Sequence, residues 1–200
     1  LEERCVALND PRVEVASLNM GSVNMDEDVY VNTLPDIRYW AARIREAGVR
    51  PELEIFEAGM VHNVEILAAG GHLAPPFTYG FALGFRGALP ARPEHVAYLR
   101  SIIPAGSAWG LVHHHMEDMS LLAVAAGMGA ALVRVGFEDS VYHAPGRVAT
   151  TNAELVERLI LLLRRMGLEA ATPREAREML GVPGLPAEPG RVASTQGGRT

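Results

Sequence analysis

The stretch Leu132-Val133-Arg134-Val135-Gly136-Phe137-Glu138-Asp139 has the length and apolar content of one strand. Period-two alternation puts Arg134, Gly136 and Glu138 on one face, with Asp139 opening the loop that follows. A helix-type pattern precedes it over residues 119–128, and another follows over 152–166. The same order repeats toward the start of the chain: a strand-length apolar run, a loop with Gly or polar residues, then an amphipathic helix. Strands are expected at 13–20, 52–56, 77–83, 108–112 and 131–137, and helices at 35–47, 61–69, 93–103, 119–128 and 152–166.

Local signals fix the helix ends. Thr33 or Asp36 can cap the first helix, and Gly48 follows it as a stop. Arg92-Pro93-Glu94 places proline in a first turn, where its missing N–H costs nothing. Asn152 can cap the helix that carries the stripe Leu155, Leu159, Leu162 and Leu163. A short last helix over 173–180 starts from Thr172 and stops at Gly181. The stretch 182–200, rich in Pro, Gly and small residues, reads as a flexible tail behind a domain spanning 1–181. Leu1-Glu2-Glu3-Arg4 reads as the end of a helix already under way.

Strands alternating with helices imply a parallel sheet with right-handed crossovers. An open doubly wound sheet and a closed eightfold barrel both satisfy this pattern. No G-x-G-x-x-G or G-x-x-x-x-G-K-[ST] element follows a strand, so the usual nucleotide site of the open sheet is missing. Five units do not close a standard barrel by themselves, so the sheet is open or three units lie ahead of it.

A formal net charge of −6 argues against nucleic acid as a partner, because such binding needs a basic surface. No apolar run reaches the roughly 18 residues needed to cross a bilayer. Cys5 has no second cysteine to bridge, which fits a cytoplasmic location.

In both candidate folds ligands bind at the C-terminal strand ends, so polar residues on strands there are the ones to weigh. Arg134 and Glu138 facing inward are costly unless paired or liganded, and a structural Arg–Glu pair with a capping Asp139 is the alternative. Ser17, Asn19 and Gly21 alternate with Ala16, Leu18 and Met20, offering uncharged contacts to a small polar ligand or a wet edge-strand face. Glu54 lies within its strand and is a candidate buried acid; Glu52 fits a solvated strand start better. In His113-His114-His115-Met116-Glu117-Asp118, His113 and His115 could share a metal with Glu117 nearby, or His113 could contact substrate while the others face solvent. A non-catalytic metal or small-ligand binding protein built on His113–His115 therefore stands as the second reading. His62, His72, His95 and His143 are scattered. No G-x-S-x-G elbow or reactive-cysteine context supports covalent hydrolysis.

The segments Ala16-Ser17-Leu18-Asn19-Met20-Gly21-Ser22, Pro51-Glu52-Leu53-Glu54-Ile55-Phe56 and Arg134-Val135-Gly136-Phe137-Glu138-Asp139 resemble the β-keto acid cleavage enzyme family, founded on the 3-keto-5-aminohexanoate cleavage enzyme of lysine fermentation. Ala88-Leu89-Pro90-Ala91, Pro145-Gly146-Arg147-Val148-Ala149 and Thr151-Asn152-Ala153-Glu154 match in the same order. The resemblance implies a parallel (β/α)8 TIM barrel of which this chain covers about strands 4–8, and assembly as a homotetramer. It implies a zinc ion and an acyl transfer of the retro-Claisen type, in which a β-keto acid and acetyl-CoA give acetoacetate and a new acyl-CoA. By resemblance Glu138 is a zinc ligand, Asp139 the general base and Arg134 its orienting partner. Ser17 and Asn19 match substrate-contacting positions, and Glu54 a further active-site acid. Two features depart from the family. Its His-x-His zinc pair lies on a strand ahead of this chain's first residue, so the site here is expected to be incomplete. His113-His114-His115 replaces a glycine-rich turn with a single Arg, and Ser140 stands where Asn is common.

Overall fold

The computed structural model describes residues 1–25 and 27–182. A 3₁₀ helix, Glu2–Asn9, leads into strand β1 (Val15–Asn19), and a hairpin of β2 (Val23–Met25) and β3 (Asp28–Tyr30) follows. Then come α1 (Leu34–Glu46), β4 (Arg50–Ile55), α2 (Ala58–Ala69), β5 (Thr78–Leu83), α3 (Pro93–Ile102), β6 (Ala108–His113), α4 (Ser120–Gly127) and β7 (Leu132–Arg134). A second hairpin, β8 (Tyr142–Ala144) and β9 (Arg147–Val148), precedes α5 (Asn152–Arg165) and α6 (Pro173–Leu180).

Five strands form one parallel sheet in the order β1-β4-β5-β6-β7. Each new strand joins the same edge, and a helix links each to the next. A doubly wound sheet reverses its order partway, so that helices cover both faces. This sheet never reverses. Its winding is that of a β/α barrel, laid out as an open arc.

The helices cover one face. Leu53, Ile55, Tyr79, Phe81, Leu83, Trp109 and Leu111 point from the strands into a core shared with Ile37, Val64, Leu67, Val96, Leu99, Leu122 and Leu159. The Phe81 and Trp109 rings lie 5.2 Å apart at its centre. Each fully buried side chain of this size contributes about 1.5–3 kcal/mol.

Helix α1 begins with a reciprocal box: Thr33 accepts from the Asp36 N–H, and Asp36 accepts from the Thr33 N–H. Thr172 and Glu175 repeat the box at α6, which Gly181 ends at φ 61°. At α5 the cap is Thr151, not Asn152. Asn152 instead accepts the Phe137 N–H at 2.8 Å, tying the helix start to the turn after β7.

The strand expected over 131–137 is shorter. It ends at Arg134, because the Gly136 carbonyl accepts the N–H groups of both Asp139 and Ser140 and turns the chain. Beyond Val182, the tail expected from residue 182 lies outside the described residues.

Candidate active site

The opposite face of the sheet has another character. Register aligns Ser17 with Glu52 and Thr78, and Asn19 with Glu54 and Gly80. Gly80 in turn pairs with Gly110, and Val112 with Arg134. Small or polar side chains therefore line this uncovered face. At its C-terminal end lies a cavity of about 400 Å³, bordered by Ser17, Asn19, Glu54, Arg134, Glu138 and Asp139. Phe56, Ala82 and Phe85 form its apolar wall, and Met25 and Tyr30 reach it from the hairpin after β1.

Arg134 makes the strongest contact here. Its Nε donates to Asp139 Oδ2 at 2.9 Å and its Nη2 to Oδ1 at 2.6 Å, a two-pronged pair. The Asp139 side chain is 3% exposed, whereas that of Arg134 is 41% exposed, so the guanidinium keeps an open flank. Hydrogen bonding to Asp139 is the main cause that holds the Arg134 pKa above its usual value. Glu138 stands apart: its carboxylate is 3.9 Å from Arg134 Nη2 and 84% exposed. Because the strand has ended, Glu138 sits in the turn and does not continue the Arg134 face.

Glu54 faces the same cavity. The Ser17 hydroxyl donates to its Oε1 at 3.1 Å. Burial raises its pKa above the usual carboxylate value; the Ser17 bond lowers it, and the charge of Glu52 raises it again. Asn19 is buried, and its Oδ1 has no hydrogen-bond partner among the described residues. That orphaned acceptor at the cavity wall has room for a donor from a ligand.

Glu52 is the residue that sequence reasoning passed over. It is no solvated strand start: burial raises its pKa, with Arg134 pulling the other way. Gly80 is what accommodates it, since a Cβ there would stand 2.8 Å from Glu52 Oε1. The signal was present in the alternation, which puts Glu52 on the Glu54 face and opposite Leu53. The β2–β3 hairpin was missed as well.

His113 is not among the residues lining the cavity. Alternation along β6 gives it the parity of Trp109 and Leu111, the helix side. Burial pushes its imidazole pKa down, with Asp118 opposing. His115 adopts φ 55°, which breaks the alternation expected to aim it alongside His113. The His114 ring stacks on Phe85 at 4.1 Å. Among the described residues no three His, Cys, Asp or Glu side chains are grouped to hold a metal ion. Tested against zinc, which needs about three protein ligands, these residues do not form a site by themselves.

An uncovered sheet face with an ion pair and a raised-pKa acid at its C-terminal strand ends has the form of a β/α-barrel catalytic site. The sequence matches the family described as beta-keto acid cleavage enzyme over residues 1–182, and the chain belongs to that family. It is 37% identical over 172 residues to a 3-keto-5-aminohexanoate cleavage enzyme of Fusobacterium nucleatum subsp. nucleatum, covering 84% of this chain and 61% of the relative. It is 29% identical over 199 residues to a 3,5-dioxohexanoate:acetyl-CoA acetone transferase of Paraburkholderia graminis, covering 86% of this chain and 64% of that protein. The chain thus spans under two thirds of the length of these relatives. Its fold is similar to the apo structure of ObcA, with a TM-score of 0.68 at 21% identity, over 84% of this chain and 44% of that one.

Proposed function

We propose that the chain forms the acid–base half of a β-keto acid cleavage site using acetyl-CoA as co-substrate. In the net exchange the carboxymethyl unit of a β-keto acid, R–CO–CH2–COO⁻, moves onto the acetyl group of acetyl-CoA. Acetoacetate forms, and the R–CO group leaves on the thiol as a new acyl-CoA. Atoms and electrons balance with no further reactant. Family membership over residues 1–182 supports this reading, as does the acetyl-CoA in the name of the Paraburkholderia relative. The observation that carries it is the meeting of the Arg134–Asp139 pair with Glu54 around one cavity.

The residues have distinct tasks. Arg134 offers its open flank to a carboxylate or a developing enolate, where a fixed cation facing an apolar wall stabilises charge best. Asp139 is the base for the C–H between the two carbonyl carbons. Each of its oxygens accepts one guanidinium N–H and keeps a second lone pair able to take the proton. Glu54 is the candidate acid, its protonated form favoured by burial, and Ser17 and Asn19 supply uncharged contacts. Phe56 and Phe85, with rings 5.1 Å apart, restrict water.

We further infer that the five units correspond to strands 4–8 of an eight-stranded barrel, in a homotetrameric, cytoplasmic protein. Zinc, which the resemblance implies, would take Glu138 as one carboxylate donor and would need further ligands besides these residues. The test is a panel of β-keto acids incubated with acetyl-CoA and the protein in its eight-stranded form, with acetoacetate and acyl-CoA followed by mass spectrometry. The reading requires equimolar formation of both with at least one member. Acetoacetate without a matching acyl-CoA would contradict it.

A further inference from the structure

Two acids share the uncovered face, yet they border different spaces. Glu54 lines the larger cavity with Ser17 and Asn19. Glu52 lines a second space of about 170 Å³, with Gly110, Val112 and Leu132. Arg134 borders both. Residues two apart on a strand are about 6–7 Å apart, too close for two half-buried carboxylates to ionise independently. Glycine at 80 leaves the Glu52 carboxyl its place, because a Cβ there would meet Oε1 at 2.8 Å. The Ser17 hydroxyl occupies Glu54 Oε1, which leaves Oε2 as the oxygen able to carry a proton.

We propose that Glu52 and Glu54 form a carboxyl pair sharing one negative charge. Arg134 borders the space of each acid, and Glu54 keeps a proton that it presents to a ligand oxygen in the cavity. Glu52 is then a positioning residue: it touches no reacting atom and acts by setting the state of Glu54. Raised proton affinity at both carboxyls agrees with this arrangement. The groups facing Glu54 are Ser17 and Asn19 on β1, Tyr30 on β3, Glu52 on its own strand, Arg134 on β7, and Glu138 and Asp139 in the turn beyond. The catalytic use of that proton rests on the proposed function, whereas the pair itself does not.

The test is a carboxyl ¹³C NMR titration of the ligand-free chain labelled at glutamate, with Glu54 assigned from Glu54→Gln. In Glu52→Gln the Glu54 midpoint should fall by about one pH unit, a tenfold loss of proton affinity. Glu52→Asp keeps the charge and should restore most of the elevation. Gly80→Ala displaces the Glu52 carboxyl without changing formal charge and should give a partial fall. An unchanged Glu54 midpoint in Glu52→Gln overturns the pair, as does a wild-type Glu54 titrating in the ordinary glutamate range. If Glu52→Gln fails to fold, Gly80→Ala decides: a midpoint equal to wild type overturns the pair. No substrate enters the titration, so its result stands whether or not a cleavage assay succeeds.

Discussion

The two faces of the sheet are built from the same strands and share almost nothing else. On the helix side Leu53, Ile55, Phe81 and Leu111 are at most 1% exposed, and their neighbours are apolar. One residue along the chain, the other parity carries Ser17, Glu52, Glu54, Gly80 and Arg134. The first face supplies folding free energy; the second lowers it, by burying acids and by placing glycine where a side chain would pack. Residues retained at such a cost are best explained by what they do for a ligand.

The comparison breaks first if the helix face proves unimportant. Phe81→Ala should cost about 3–5 kcal/mol in denaturant unfolding, because it opens a cavity against Trp109. The uncovered face should respond in rate without a loss of stability. Glu54→Gln should lower acetoacetate formation by about 10²-fold or more while leaving the melting temperature no lower than wild type.

A smaller effect should appear where the two faces meet. Asn152→Ala removes the acceptor of the Phe137 N–H and loosens the turn that holds Asp139. About 0.5–1.5 kcal/mol of stability should be lost in denaturant unfolding. Steady-state kinetics should show KM rising as well, because the turn positions the base.

The pH dependence of stability sharpens the contrast most finely. Glu52 and Glu54 have folded pKa values raised above the 4.5 of a free side chain. The folded state therefore binds protons more tightly, and stability is full below that value and declines as pH rises through the folded pKa values. Replacing either with Gln should stabilise the protein at neutral pH and give no advantage at pH 4, as thermal melts across that range can show.

Much of this architecture is legible in the sequence. Hydrophobic spacing reveals five β/α units, and Thr33, Thr172 and Gly181 mark helix ends where they are found. Three features are not legible there. Alternation presumes an extended backbone and runs on through Gly136, whereas two N–H groups on one carbonyl end the strand, and a turn brings Glu138 to the cavity, 3.9 Å from Arg134. The left-handed turn at His115 similarly defeats the expected pairing of His113 and His115. Glu52 shares the parity of Glu54, but its burial is not legible, because the glycine that shelters it lies on the neighbouring strand, 28 positions away in sequence and adjacent only after folding.

The most direct test is the rate of acetoacetate release from acetyl-CoA and a β-keto acid after Asp139→Asn, measured beside the melting temperature. The account predicts a fall of at least about 10²-fold with the fold intact, since an amide keeps the shape but neither accepts the proton nor balances Arg134. A variant turning over at the wild-type rate would mean that the Arg134–Asp139 pair is architecture and the chemistry lies elsewhere.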